Sequence, residues 1–224
     1  MRRPDLLVPI GTPIPVESAP ALRRRRFAVG VTLVVGTVLL RMTITTPRSS
    51  VRFGVLGLLL AASWIAGGLL AGPLRAPRPT RTHPNRHEML EAAAVGLIAF
   101  IAFLGANLVA RHIAVLAHAL DSLLPRMSTS ASTLVIAVVA ANAVAEEYFF
   151  RGALHLAFAD RRPGLATVVV YTLVTVVTLN PALVVAAAVM GTVFTLERLA
   201  TGRVLAPAMT HLVWGLLMLL AFPR

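Results

Sequence analysis

Long apolar runs separated by short polar stretches make up most of the chain after its first 26 residues. Seven of these runs approach the roughly 20 residues that a helix needs to cross a bilayer. The pattern therefore predicts an all-α fold, a polytopic transmembrane helix bundle of about seven spans. The predicted spans are residues 27–44, 53–74, 88–109, 130–150, 165–179, 181–196 and 204–222.

The polar stretches divide the chain into three predicted regions. Residues 1–26 are polar and rich in proline and end in four arginines, which is typical of a flexible basic tail that meets anionic lipid headgroups. Residues 27–126 hold the first three spans and their loops, including a mixed segment at 111–126 that we expect to be an interfacial helix. Residues 127–224 hold the remaining spans and the candidate chemistry.

Composition supports a membrane protein. Only 13% of the 224 residues are charged and 57% are hydrophobic, whereas soluble domains average about 25% charged residues. The formal charge of +12 comes from arginines at the ends of apolar runs, where they orient helices, and no nucleic-acid-binding motif accompanies them. We therefore expect no nucleic-acid partner. The absence of cysteine excludes a thiol nucleophile and a cysteine-based metal site.

The distribution of arginine predicts the orientation of the bundle. With the N terminus in the cytosol, fourteen arginines fall on the inner side and six on the outer side, with Arg151 set aside because it lies in the candidate site. We expect an integral protein of a bacterial cytoplasmic membrane. This orientation places the C-terminal end of the fourth span on the cytosolic side.

That end carries the most unusual group of residues, Glu146-Glu147-Tyr-Phe-Phe-Arg151. Glu147 and Arg151 are four residues apart, so they lie on one helix face and are predicted to form an ion pair. Glu146 points elsewhere and has no local cation, which makes it the candidate general base. Asn142 lies one turn before Glu146, and His155 lies one turn after Arg151, so both extend the polar face.

A second polar feature is His211, inside the last apolar run. Ionisable groups at membrane depth usually face a bundle interior or a water-filled cavity and mark functional sites. Two structural alternatives remain open: the charged group at 146–151 ends a helix at the interface, and His211 bonds a backbone carbonyl. A transporter whose paired acids bind a coupling ion is a further alternative.

Three features of this part of the chain carry a resemblance through their order and spacing: the Glu-Glu-x-x-x-Arg motif, the Asn180-Pro181 turn, and a last helix that opens with Leu-Ala-Pro-x-x-Thr-His-Leu. In these features the chain resembles the CAAX protease and bacteriocin-processing family, also called CPBP or Abi. The likeness covers roughly residues 130–220. It implies an intramembrane endopeptidase that cuts a membrane protein or peptide substrate near the cytosolic face.

The resemblance also implies roles for the residues. Glu146 activates water, Glu147 and Arg151 form a structural pair, and His211 stabilises the oxyanion or orients water. These assignments agree with the ion pair and the candidate base inferred from helical spacing.

Two positions depart from the family pattern. In the second motif, Phe-x-x-x-His, Thr178 stands at the aligned histidine position, and in the third, His-x-x-x-Asn, Gly215 replaces the asparagine. Loss of one oxyanion donor costs about 100- to 1000-fold in rate. The alternative is therefore a catalytically degraded member that acts as a membrane-protein binding partner, a scaffold or a peptide-resistance factor. Four polar residues are candidates to substitute as supporting groups: Thr178, Asn180, Asn142 and His155.

No cofactor is inferred from the sequence. The chain has no His-Glu-x-x-His motif, and a site built from Glu146, Glu147 and His211 would offer a single nitrogen ligand, which suits zinc poorly. We therefore expect no metal.

Overall fold

The computed structural model describes residues 17–74, 86–127 and 133–221, and their regular structure is entirely helical. This confirms the predicted all-α class. The elements are α1 (Ala19–Thr45), α2 (Val51–Leu70), α3 (Arg86–Ala110), α4 (Ala114–Met127), α5 (Thr133–Glu147), a π-helical segment (Tyr148–Leu154), α6 (His155–Ala157), α7 (Pro163–Val176), α8 (Pro181–Thr201) and α9 (Leu205–Ala221).

Five of these helices are long and apolar enough to cross a membrane: α1, α2, α3, the continuous helix Thr133–Ala157, and α8. Two shorter apolar helices, α7 and α9, accompany them. Large apolar side chains such as Val34, Ile98 and Leu108 lie exposed on the outer faces of α1 and α3, as expected where helices meet lipid. The chain is therefore an integral membrane protein. The count of seven spans and the cytosolic N terminus stay predictions.

Helix α1 begins at Ala19, eight residues before the predicted start of the first span. Pro20 lies in the first turn, where its fixed φ favours a helix start. Arg25 is buried and donates to Glu17 and to the Pro73 carbonyl, and Arg26 donates to the Ala157 carbonyl. Residues 19–26 are thus helical and partly committed to contacts within the protein. The rest of the predicted tail, residues 1–16, lies outside the described residues.

The central element is α5, which packs against α2 on one side and α9 on the other. Helix α1 covers α2, α3 covers α9, and α7 pairs with α8, which also contacts α9. Close packing depends on glycine: a side chain at Gly57 of α2 would overlap Val138 of α5, and one at Gly68 would overlap Tyr148. Gly68 begins a GxxxG pattern, in which small residues allow helices to approach closely, and here it allows Tyr148 to pack against α2.

The mixed segment after α3 forms α4, which is fastened to the turn between α7 and α8. Asn180 in that turn donates from Nδ2 to the Ala119 carbonyl at 2.9 Å and to the Ser122 hydroxyl at 3.1 Å. Its Oδ1 accepts from the Leu183 backbone N–H and so caps α8. One side chain therefore starts a helix and anchors another across that end of the bundle.

Candidate active site

The two glutamates lie near the middle of a long apolar helix. Helix α5 ends at Glu147 and continues without a break through the π segment and α6 to Ala157, so that Thr133–Ala157 is one candidate span. The apolar pattern predicts a span that ends at residue 150, with the acids at its cytosolic end. The structure differs because the apolar run resumes after Arg151. The alternative in which these charges merely end a helix at the interface therefore finds no support.

Glu147 and Arg151 form the predicted ion pair, and both are fully buried. Arg151 Nη1 donates to Glu147 Oε1 at 3.0 Å, and Nη2 donates to the Gly191 carbonyl at 2.9 Å. The guanidinium lies 4.5 Å from the ring centroid of Tyr171 and 5.1 Å from that of Phe194. Such stacking on aromatic faces is favourable for a guanidinium that is removed from water.

Arg198 supports the backbone at this point. Its Nε donates to the Arg151 carbonyl at 2.9 Å, and its side chain is buried in α8. The predicted sixth span ends at residue 196 and leaves Arg198 in a cytosolic loop, whereas α8 continues to Thr201. Since π-helical segments are rare and occur frequently at functional sites, this one marks the helix near Glu147 as specialised.

His211 completes the buried cluster. Its Nδ1 lies 3.0 Å from Glu147 Oε1, so its partner is a carboxylate and not the backbone carbonyl considered as an alternative. The imidazole stacks on Phe194 with ring centroids 4.6 Å apart, and Trp214 lies on another side at 6.0 Å. Glu147, Arg151 and His211 therefore form one hydrogen-bonded layer, which we call the buried layer.

Glu146 faces a different environment. Its Oε2 accepts a hydrogen bond of 3.0 Å from the Tyr171 hydroxyl, the side chain whose ring also lies against Arg151. Tyr171 is not among the site residues predicted from the sequence. A signal was present: moving the Phe-x-x-x-His comparison three residues towards the N terminus puts Tyr171 at the aromatic position and Thr175 at the histidine position.

A cavity of about 450 Å³ begins at Glu146 and continues through one half of the bundle. Tyr171 and His211 border it beside Glu146, and Arg48 borders its other end. Between them the walls are mainly apolar. Of the supporting residues named from the sequence, Asn142 and Thr178 line this cavity, and so does Gly215. The structure thus brings the candidate base, the histidine and two supporting groups to one space.

The other two supporting residues are engaged elsewhere. His155 is buried with its Nδ1 3.5 Å from the Thr167 hydroxyl, and Asn180 fastens α4; neither is among the described residues that line the cavity. Asn142 is oriented by its Nδ2, which donates to the carbonyls of Gly57 and Val138, each at 2.9 Å. Its Oδ1 accepts no hydrogen bond within the described part of the chain.

Another carboxylate that the sequence analysis passed over lies next to the buried layer. Glu197 Oε1 is 2.6 Å from the hydroxyl of Thr210, the residue before His211, and that hydroxyl is also 2.8 Å from the Ala92 carbonyl. Glu197 went unnoticed because the predicted sixth span stopped one residue before it. The contact joins α3, α8 and α9 beside His211.

The donor set does not suit a metal ion. Glu147 Oε1 is bonded to both Arg151 and His211, and within residues 17–74, 86–127 and 133–221 no three His, Asp or Glu side chains are grouped so that they could hold one. We derive no step through a metal.

A helical membrane protein with a carboxylate and a histidine beside a cavity within the bundle has the parts of an intramembrane hydrolase. Residues 128–217 match the model of the family described as type II CAAX prenyl endopeptidase Rce1-like. The match confirms the resemblance to CAAX proteases over this part of the chain and supports a peptidase activity. Comparison with curated proteins and with solved structures found no match.

Proposed function

We propose that the protein is an intramembrane endopeptidase in which Glu146 activates the attacking water. The observation that carries this proposal is the different use of two neighbouring carboxylates. Glu147 is sealed in the buried layer by Arg151 and His211, whereas Glu146 borders the cavity and, among the described residues, accepts one hydrogen bond, from Tyr171. Glu146 is therefore the carboxylate that is left to meet water and substrate.

In the proposed reaction, Glu146 takes a proton from water while the oxygen attacks the peptide carbonyl carbon. The tetrahedral intermediate collapses when the C–N bond breaks and the same proton passes from Glu146 to the leaving amine. Tyr171 fixes the carboxylate through its bond to Oε2. Asn142 lines the cavity one turn earlier on α5, and its Nδ2 bonds to the Gly57 and Val138 carbonyls fix its position there.

His211 is proposed to stabilise the oxyanion. Because its Nδ1 is bonded to Glu147, the imidazole orientation is set and Nε2 is the nitrogen left for substrate. In this role Nδ1–H donates to Glu147 and Nε2–H donates to the oxyanion, so the imidazole carries both protons in the proposed step. Trp214 offers a second donor: its Nε1 is buried, finds no acceptor among the described residues, and its side chain lines the cavity beside Gly215. This indole compensates for the asparagine that Gly215 replaces.

The test is a comparison of membranes that express the wild type, Glu146→Gln, His211→Ala and the control Glu91→Gln, by N-terminal peptide profiling of the host membrane proteome. Glu91 is an exposed acid on α3, so its replacement also removes one carboxylate. New peptide termini should appear with the wild type and the control and disappear with the other two. Identical termini in all four, at equal expression, would favour the binding or scaffold alternative.

A further inference from the structure

The cavity that starts at Glu146 occupies only one half of the bundle. It is lined by the last turns of α1, α3 and α9 and the first turns of α8, and the residues that mark this half are Leu40, Ile44, Ala106, Asn107, Ala110, Leu183, Met218 and Leu219. All of these lie towards the end of the bundle where α1 ends and α2 begins. The cavity therefore extends away from the end that carries the start of α1.

This end, which we call the mouth, is bordered by the inner face of α4. Leu116 and Leu120 of α4 line the cavity, whereas the neighbouring Val115 is exposed. The bonds from Asn180 hold α4 in this position. From the start of α5 at Thr133 to Glu146 the helix rises roughly 20 Å, which is about the length of six residues of extended peptide.

Among the described residues that line the cavity, Arg48 carries a guanidinium, and it lies at the mouth. It lies in the turn between α1 and α2, is largely buried, and its Nη1 has no hydrogen-bond partner within the described residues. Burial lowers the pKa of this guanidinium, because its charge is poorly solvated. A poorly solvated cation without a partner gains free energy when an anion reaches it.

We propose that substrate enters from the mouth, beneath α4, and that Arg48 binds an acidic side chain of the substrate while an apolar segment extends inward to Glu146. This inference rests on the proposed peptidase function for the identity of its occupant. The mouth lies at the end of the bundle opposite the start of α1. On this route, a cytosolic N terminus and cleavage served from the cytosolic face therefore exclude each other.

The side of access can be measured directly, because the chain contains no cysteine. Val139→Cys places a thiol on the cavity wall, Ser49→Cys one at the turn beside the mouth, and Ser18→Cys one at the opposite end. Sealed vesicles would be treated with a membrane-impermeant maleimide on one side at a time. The side that labels Ser49→Cys should also label Val139→Cys. Labelling of Val139→Cys from the side that reaches Ser18→Cys would overturn the proposed route.

The role of Arg48 can be measured by fluorescence, because both tryptophans of the chain, Trp64 and Trp214, line the cavity. The probe is a capped hexapeptide that begins with 4-bromophenylalanine, alternates leucine and alanine, and ends in glutamate; its partner ends in glutamine. The bromine quenches tryptophan on contact. A Glu146→Gln background keeps the peptide intact, so binding is read independently of cleavage.

The glutamate peptide should quench saturably and bind about tenfold more tightly than the glutamine peptide, a factor expected for one charge-assisted hydrogen bond. Arg48→Gln should remove this preference, whereas Arg52→Gln, an exposed arginine outside the cavity, should retain it. Equal binding of the two peptides, or equal loss in both variants, would overturn the assignment of Arg48. Normal Arg48-dependent binding without any cleaved termini would instead refute the peptidase function alone.

Discussion

Glu146 and Glu147 are adjacent in sequence but occupy regions with opposite character. Glu147 belongs to the buried layer, where one oxygen accepts from Arg151 and contacts His211. Glu146 belongs to the cavity wall, where it accepts from Tyr171 and borders open space. In the first region the charge is already compensated and holds helices together. In the second it remains available, and this difference separates a structural carboxylate from a candidate catalytic one.

The largest expected effect comes from removing the cation of the buried layer. Arg151→Met should destabilise the protein by about 3–5 kcal/mol, because Glu147 would keep a buried charge without its main partner. Thermal unfolding of the detergent-solubilised protein measures the change. Arg161→Met, which removes an exposed arginine, is the control and should leave the midpoint unchanged.

A double variant sharpens this prediction. Glu147→Gln combined with Arg151→Met should be more stable than Arg151→Met alone, because no uncompensated carboxylate remains. An unfolding midpoint of Arg151→Met equal to that of the wild type would show that the layer does not hold the bundle together.

A smaller effect, confined to catalysis, is expected on the cavity side. Tyr171→Phe removes the hydroxyl that bonds Glu146 and retains the ring beneath Arg151. We expect kcat to fall about 10- to 100-fold with little change in KM or in the unfolding midpoint, since a hydrogen bond to a charged group is worth about 1.5–3 kcal/mol. The chain's other tyrosine supplies the control, Tyr148→Phe, which should leave kcat unchanged. A parallel loss in both variants would mean that the hydroxyl does not act through Glu146.

Substitution of Asn180, which holds α4 at the mouth of the cavity, should have a weaker effect. Asn180→Asp keeps the Oδ1 that caps α8 but loses the donors to Ala119 and Ser122, whereas Asn180→Ala loses both functions. Asn180→Asp should therefore speed hydrogen exchange in α4 and leave α8 protected. Asn180→Ala should cost about 1 kcal/mol more through the lost cap. Unchanged exchange in α4 in both variants would show that Asn180 does not anchor it.

The sequence predicted those features of the fold and of the Glu146–Glu147 difference that depend on helical spacing. The all-α class, the Glu147–Arg151 pair and the separate direction of Glu146 all follow from apolar periodicity and from residues four positions apart. Each of these needs only one segment of chain. They are the parts of the fold and of the site that local sequence determines.

Helical spacing within one segment does not predict contacts between segments that are distant in sequence. Tyr171 reaches Glu146 from α7, and Glu197 reaches Thr210 from α8, and no local pattern couples these positions. Errors in the predicted span boundaries also hid parts of the site. A span that ends at residue 150 puts Glu146 at an interface, and a span that ends at residue 196 leaves Glu197 and Arg198 outside the bundle. Asn180 shows the converse: the sequence suggested it as a supporting group of the site, whereas its side chain bonds α4 and caps α8.

The smallest expected effect concerns the same type of ion pair placed at the surface. Arg26 donates to Asp160 at 2.6 and 2.8 Å, and both side chains are exposed. This hydrogen bond from Arg26 is the main cause that holds the pKa of Asp160 below its usual value; a backbone hydrogen bond and the charges of Arg26 and Arg161 add smaller effects. A lowered pKa in the folded state stabilises the fold above the unfolded pKa of about 3.9, and this contribution is lost as the pH falls through the folded value.

Asp160→Asn should therefore lower the unfolding midpoint slightly at pH 7 and low salt. The difference from the wild type should vanish in 1 M salt, roughly the concentration at which the screening length falls to about 3 Å. A loss as large as that of Arg151→Met would show that burial is not what distinguishes the two pairs.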